Sequence, residues 1–144
     1  ELSGFTLAVD PFALPGAVTL AADKAVLNGR QVRTEERGDR TNIGFWDRPD
    51  EDVHWLARID RAGRYTVRAE LAAAAGDSRL TLSAGRESVT FTAARTATWD
   101  NARWVPVGTL EFDTPGVYHV ILKPTDPAGW RAVNVWQVQL APDK

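Results

Sequence analysis

The sequence has 144 residues, with 17 Lys and Arg against 19 Asp and Glu, no Cys, no Met and 6 Trp. A chain of this length forms one domain and buries about two-thirds of its unfolded surface. The net charge of −2 disfavours a nucleic-acid or anionic-membrane binder, because attraction to phosphate needs a surplus of Lys and Arg. The absence of Cys excludes disulfides, thiolate metal sites and thiol nucleophiles.

The first 16 residues differ from the rest of the chain, because they contain prolines and show little periodicity. We interpret residues 1–16 as a linker or the tail of a preceding domain, packed down by Phe5 and Phe12. The chain begins at Glu1 and has no Met, so we expect a mature protein or part of a longer one. No apolar run reaches the roughly 20 residues of a membrane-spanning helix.

Residues 17–144 show the period-two alternation of apolar and polar side chains that is typical of β-strands. Turn signals rich in Gly, Pro, Asn and Asp separate the strands, and no segment is long enough for a regular helix. We therefore predict a single all-β domain, a sandwich or barrel of antiparallel sheets. The predicted strands, in chain order, are 53–59, 64–71, 80–84, 89–91, 104–112, 118–122 and 136–140.

The familiar catalytic motifs are missing: no hydrolase nucleophile elbow, no phosphate-binding glycine loop, no dinucleotide fingerprint and no His-Glu-x-x-His. His54 and His119 fall in the outward phase of their strands, and neither has a local partner for metal binding or base catalysis. We interpret both as exposed strand residues.

Four acids lie close together around a proline in the segment 47–52. Their spacing does not match a helix-loop calcium site, so we interpret this segment as a solvated loop. We predict no catalytic residue, no metal ligand and no enzymatic activity. The four acids are Asp47, Asp50, Glu51 and Asp52.

The six tryptophans divide by strand phase. Trp55 and Trp136 share the phase of apolar neighbours and are predicted to lie in the core, and Trp104 opens a strand and is expected to be partly buried. The other three, Trp46, Trp99 and Trp130, lie in loops among polar and turn residues. Indoles are costly to expose, so these three either cap the core or contact a ligand.

Carbohydrate is the ligand that suits such loops, because the apolar face of a pyranose packs on an aromatic ring while polar neighbours bind its hydroxyls. Asn134 begins the last strand near the Trp130 loop, where it either caps a turn or binds a sugar; the sequence leaves both open. Arg48 and Arg131 flank two of the loop tryptophans, which hints at an anionic sugar.

Several short motifs follow one another in a recognisable order: residues 20–29, Asn42-Ile-Gly-Phe-Trp46 with Asp52-Val-His-Trp55, residues 61–67, residues 99–104 and Ala132-Val-Asn-Val-Trp136. Over residues 17–144 this order resembles the galactose-binding-like β-sandwich, particularly family 6 carbohydrate-binding modules. The segment beginning at Asn42 is also similar to accessory domains of bacterial α-L-fucosidases and sulfatases.

The resemblance implies a two-sheet antiparallel jelly roll with a sugar site at the loop end, built from aromatic rings and one asparagine. By position, Phe45 or Trp46 and Trp99 would supply the rings, and Asn134 the hydrogen bonds. The full set of candidate ligand residues is Phe45, Trp46, Trp99, Trp130, Arg131 and Asn134.

The resemblance also implies a structural calcium ion, held by two acids in the first strand and one near the end. This chain has Ala21 and Asp23 at the first positions and no acid in residues 137–140. We therefore expect no cofactor and no calcium at that place.

The sequence thus predicts a non-catalytic, monomeric sugar-binding domain, secreted or periplasmic, attached to the catalytic domain of a glycan-processing enzyme. Its main rival is a structural domain that buttresses the catalytic domain and binds nothing, with the loop tryptophans as core caps. A glycosidase or lyase that uses loop carboxylates ranks last.

Overall fold

The computed structural model describes residues 9–143, and these fold into two antiparallel β-sheets packed face to face. One short 3-10 helix, Pro11–Ala13, precedes the first strand, and two others, Ala22–Lys24 and Pro127–Gly129, lie in connections between strands. No helix among the described residues is long and apolar enough to cross a membrane. The strands are β1 (Val18–Ala21), β2 (Val26–Asn28), β3 (Arg33–Arg37), β4 (Arg40–Gly44), β5 (Asp52–Ile59), β6 (Gly63–Ala72), β7 (Ser78–Ala84), β8 (Glu87–Ala93), β9 (Arg103–Phe112), β10 (Gly116–Pro124) and β11 (Asn134–Pro142).

The first sheet has the order β3-β4-β11-β6-β9, and β1 also pairs with β11. The second sheet has the order β2-β5-β10-β7-β8. The prediction of an all-β, two-sheet antiparallel sandwich is therefore confirmed.

The core lies between the sheets, where the predicted alternation places one face of each strand. In β5, Val53 and Trp55 are at most 1% exposed, while Leu56 on the other face is 65% exposed. The Trp55 indole donates a hydrogen bond of 2.8 Å to the Ala21 carbonyl, so its one polar group is also satisfied. The prediction for Trp55 is confirmed.

Strand β11 departs from simple alternation, because its pairing with β6 shifts at a bulge between Val135 and Gln137. Val135 before the bulge and Val138 after it both belong to the core cluster, although an odd number of positions separates them. Trp136, within the bulge, is only 5% exposed but lies outside that cluster, with the Arg40 guanidinium 5.7 Å from its ring centroid. Trp136 is therefore buried as predicted, but it packs beside Arg40 and not in the cluster that contains Val135 and Val138.

The chain before β1 packs against the first sheet where it is described. Asp10 caps the 3-10 helix by accepting a hydrogen bond of 3.0 Å from the Phe12 amide, and the Phe12 ring lies 4.1 Å from the Arg68 guanidinium. Phe5 lies outside the described residues. The division of the chain at residues 16 and 17 stays a prediction.

The acidic segment between β4 and β5 is not simply a solvated loop, since Glu51 is only 4% exposed. Its carboxylate accepts hydrogen bonds from the amides of Arg30, Gln31 and Val32 at 2.6, 3.0 and 2.9 Å. Burial alone would raise the pKa of Glu51, but these amide donors outweigh it and hold the pKa below its ordinary value. A Cβ on Gly29 would lie 2.3 Å from this carboxyl group, so the close approach requires glycine.

Replacing Glu51 by Gln should lower the free energy of unfolding by about 2 kcal/mol, because a hydrogen bond to a charged group stabilises more than one to a neutral amide. The carboxylate stabilises the fold fully above its ordinary pKa of 4.5, and this contribution is lost as the pH falls through the lowered pKa. Urea unfolding at several pH values measures the difference between wild type and Glu51→Gln, which should shrink in acid.

Asp50→Asn is the matched control, because Asp50 is an exposed acid in the same segment and its side chain pairs with Arg48. It should leave the free energy of unfolding almost unchanged, because an exposed ion pair contributes little to stability. Equal losses from both variants would contradict a special role for Glu51.

Candidate functional site

A cleft of about 200 Å³ opens at one end of the sandwich, where β3, the segment after β4, the β8–β9 loop and the start of β11 meet. We call it the aromatic cleft, because Phe45 and Trp99 both line it. Its lining residues are Glu35, Arg37, Phe45, Asp47, Trp99, Ala132 and Asn134.

Phe45 owes its exposure to the backbone that follows β4. It has φ of 55°, a left-handed conformation that a residue with a Cβ rarely adopts, and its side chain is 43% exposed. The next residue, Trp46, points the other way and is fully buried. The Arg33 guanidinium lies 4.2 Å from the centroid of the Phe45 ring, so a cation–π contact helps to hold the ring in place.

Asn134 links the β11 side of the cleft to the Trp99 loop. Its Nδ2 donates a hydrogen bond of 3.0 Å to the Trp99 carbonyl, and only 4% of the residue is exposed. Its Oδ1 accepts no hydrogen bond within residues 9–143 and therefore keeps its acceptor capacity. A Cβ on Gly44 would lie 3.2 Å from this oxygen and 2.8 Å from Glu35 Oε1, so glycine leaves room for both groups.

Charged groups connect the two sides of the cleft. Glu35 accepts hydrogen bonds from Arg37 at 2.8 Å and Asn42 at 3.1 Å, and Arg37 also donates to Asp100 at 2.7 Å. Burial would raise the pKa of Glu35, but the hydrogen bonds from Arg37 and Asn42 outweigh it and lower the pKa. The Arg37–Asp100 pair thereby joins β3 to the loop that carries Trp99.

Three of the residues predicted from the sequence lie outside the aromatic cleft. Trp46 is fully buried and donates a hydrogen bond of 2.9 Å to the Glu51 carbonyl, so its predicted role as an open platform is wrong. Trp130 packs on it with ring centroids 5.1 Å apart and donates to its carbonyl at 2.9 Å. Arg131 is exposed and lies against the turn at Gly76, where a Cβ would be 2.7 Å from Arg131 Cδ.

Sequence reasoning missed three charged or polar lining residues, Glu35, Arg37 and Asp47. Glu35 and Arg37 alternate on the short strand β3, which is too polar to predict as a strand. Asp47 belongs to the acidic segment 47–52, whose spacing gives no sign of a ligand site. The hint of an anionic sugar at Arg48 loses its basis, because Arg48 pairs with Asp50 through two hydrogen bonds of 3.1 Å.

The two histidines are closer to each other than the sequence suggested. His54 on β5 and His119 on β10 stack with ring centroids 5.5 Å apart, on the second sheet. Each ring is thus a stacking neighbour of the other, contributed by a strand that is distant in the sequence. Residues 9–143 contain no group of three or more His, Cys, Asp or Glu arranged to hold a metal ion. The absence of a cofactor stays a prediction.

A family model described as "Domain of unknown function (DUF5077)" matches residues 25–144, which include all but one strand of the sandwich and the whole aromatic cleft. No curated protein sequence matches the chain.

Solved structures share the fold at low sequence identity. The C-terminal family 6 carbohydrate-binding module of LamC, a laminarinase from Zobellia galactanivorans, matches with a TM-score of 0.70 and 14% identity over 87% of this chain and 98% of that one. A family 35 module from Clostridium thermocellum has a TM-score of 0.72 and 15% identity over 85% and 97% of the two chains. The resemblance to family 6 modules is confirmed for the fold.

Larger enzymes contain the same fold as one part. The chain matches a Podospora anserina β-1,4-mannanase that combines a GH26 enzyme with a family 35 module, with a TM-score of 0.71 and 19% identity. The match covers 90% of this chain but 28% of the mannanase.

Trp46→Ala should destabilise the protein by about 3–5 kcal/mol, because it removes a fully buried side chain and leaves a cavity. Trp99→Ala should cost less than half of that, since the side chain is only half-buried beside the cleft. Unfolding of both variants in guanidinium chloride tests whether Trp46 caps the core while Trp99 only lines the cleft. Similar losses for the two would contradict it.

Proposed function

The chain belongs to the DUF5077 family, and for this member we propose the function of a non-catalytic carbohydrate-binding module. The module binds a neutral glycan in the aromatic cleft and is attached to the catalytic domain of a glycan-processing enzyme.

The observation that carries the proposal is the convergence of two aromatic rings and one free amide oxygen. Phe45 and Trp99 line the same cleft from different loops, and the Oδ1 of Asn134 keeps its acceptor capacity there. Aromatic rings pack against the C–H face of a sugar ring, and an amide oxygen accepts from its hydroxyls. A cleft of about 200 Å³ is smaller than the roughly 300–1,000 Å³ of a pocket for drug-sized ligands, which suits a weak site for one sugar unit.

The charged residues that line the cleft favour a neutral sugar. Glu35 and Asp47 contribute two carboxylates, and the one guanidinium in the lining, Arg37, is already engaged by Glu35 and Asp100. An anionic sugar would meet uncompensated carboxylate charge, whereas a neutral sugar can donate hydroxyls to the same oxygens. Glu35 in particular stays ionised because its pKa is lowered.

A weak site of this kind acts through proximity. Tethering a catalytic domain to a module on the polysaccharide raises the local concentration of enzyme on its substrate. The module acts as a monomer, secreted or periplasmic, and segment 1–16 is the tether. Its parent is an α-L-fucosidase or sulfatase, to whose accessory domains the Asn42–Trp46 segment is similar.

The two rival functions fit the geometry less well. In a domain that only buttresses its neighbour, the loop aromatic rings would cap the core. Trp46 is buried in this way, but Phe45 is 43% exposed and lines the cleft. A glycosidase needs one carboxyl group with a raised pKa as its acid, and the pKa of Glu35 is shifted downward instead.

Affinity electrophoresis in gels with laminarin, lichenan, xylan or galactomannan tests sugar binding directly. Wild type should be retarded by at least one of these neutral polysaccharides. Phe45→Ala, Trp99→Ala and Asn134→Ala should each weaken that binding by about tenfold or more, because each removes one contact of a small site.

Leu56→Ala is the matched control, since Leu56 is 65% exposed on the other sheet and should leave mobility unchanged. Circular dichroism and thermal unfolding confirm that each variant folds, which matters most for Asn134→Ala because Asn134 also contacts the Trp99 carbonyl. A folded wild type that binds none of the four polysaccharides would refute the proposed function.

A further inference from the structure

A second concave surface lies on the other side of the β8–β9 loop from the aromatic cleft. This groove of about 460 Å³ runs between the end of β8 and the start of β9. We call it the Trp104 groove, after the 40% exposed tryptophan in its wall. The side chains that matter are Thr92, Arg95, Asn101, Arg103, Trp104 and Pro106.

The Trp104 indole lies outside the buried core cluster. One of its faces is covered by the Arg68 guanidinium at 3.9 Å, and Arg68 also stacks on Phe12 at 4.1 Å. Hydrogen bonds to Gln139 at 3.0 and 2.7 Å fix Arg68 in this position. Trp104 is therefore a rigid platform that also lines the groove, rather than a mobile surface side chain.

Two arginines that line the groove with Trp104 have no carboxylate partner among residues 9–143. Arg103 donates one hydrogen bond of 3.3 Å to Asn101, and the side chain of Arg95 makes no hydrogen bond or ion pair within residues 9–143. The described ion pairs engage Arg37, Arg40, Arg48 and Arg68 instead. No Asp or Glu is among the residues that line the groove.

The loop that carries these groups is held by its own hydrogen bonds. Thr96 exchanges bonds with the Ala73 backbone, accepting at 3.0 Å through Oγ1 and donating its amide at 3.1 Å. The Arg95 amide donates to Asp77 at 2.8 Å, and the Asn101 amide to the Thr98 carbonyl at 3.3 Å. The groove is thus pre-organised, which lowers the entropic cost of binding.

From this arrangement we propose that the Trp104 groove is a second glycan subsite, and that it takes an acidic sugar unit bearing a carboxylate or a sulfate ester. The sugar ring packs on Trp104, and its anionic group pairs with Arg95 and Arg103. Asn101 is the polar group beside Arg103 that binds a neighbouring hydroxyl. The proposal extends the proposed function but does not depend on the aromatic cleft.

The charge of the two surfaces explains why they differ in ligand. The aromatic cleft has Glu35 and Asp47 in its lining with one engaged arginine, whereas the Trp104 groove has Arg95 and Arg103 and no acid. Guanidinium groups bind carboxylate and sulfate oxygens through paired hydrogen bonds, and an aromatic neighbour adds selectivity for a ring. The whole chain has a net charge of −2, so a local attraction for anions is not a property of the entire surface.

Isothermal titration of the full chain with polygalacturonate and with chondroitin sulfate tests the groove and distinguishes the carboxylate from the sulfate arm. We expect wild type to bind at least one of them at about 20 mM salt and more weakly at about 200 mM. The double variant R95Q/R103Q should weaken binding by about tenfold or more and flatten the salt dependence, because two charge-assisted contacts are lost. Trp104→Ala should weaken binding but keep the salt dependence.

Arg58→Gln combined with Arg79→Gln is the control, because it makes the same change of charge with two exposed arginines of the second sheet. It should leave binding unchanged. Equal losses in the control and in R95Q/R103Q, or equal binding of single-stranded DNA, would overturn the proposal in favour of unspecific charge attraction. Binding of neither acidic polysaccharide by folded wild type would also overturn it.

Trp99→Ala separates this proposal from the proposed function. It should weaken binding of neutral polysaccharide at the aromatic cleft by about tenfold or more, while acidic polysaccharide still binds as it does to wild type. If Trp99→Ala removes acidic binding and Trp104→Ala does not, the groove is not a subsite, and the aromatic cleft alone accounts for both ligands.

Discussion

The loop that presents Phe45 is anchored by one buried residue, Glu51. Glu51 is the most buried of the described charged residues, and it collects the amides of Arg30, Gln31 and Val32 before β3 begins. The backbone carbonyl of Glu51 accepts a hydrogen bond from the Trp46 indole, so the same residue also fixes the buried tryptophan of the loop. Because Trp46 is held inside, the preceding residue must turn outward, and Phe45 does so with a left-handed backbone.

Much of the fold follows from patterns that the sequence displays openly. A sheet with one buried face repeats its apolar residues at every second position, which is why β5 and β6 could be predicted from their own residues. The motifs of the sequence predict Phe45, Trp99 and Asn134 as ligand residues, and the structure brings all three to one cleft. Short polar strands such as β3 carry no such signal.

The features that could not be predicted arise from pairing between distant strands. The bulge in β11 changes the phase of Trp136 relative to Val138, and it depends on the register with β6 rather than on β11 itself. The burial of Glu51 likewise depends on tertiary contacts. Its carboxylate binds amides that lie 19 to 21 positions earlier in the sequence, and Gly29 lies close enough that a larger residue would clash with it. Among Trp46, Trp99 and Trp130, all loop tryptophans, these tertiary contacts decide which ring is a core cap.

The loop between β8 and β9 contributes residues to two surfaces of different charge. Asp100 turns toward Arg37 and completes the ion pairs beside the aromatic cleft, while Asn101 and Arg103 line the Trp104 groove. The acids around the aromatic cleft outnumber its one arginine, whereas Arg95 and Arg103 leave a surplus of positive charge in the groove. The β8–β9 loop, which is held by its own hydrogen bonds, lines both the aromatic cleft and the Trp104 groove. A polysaccharide with neutral and acidic units could therefore contact the two surfaces without any movement of the sheets.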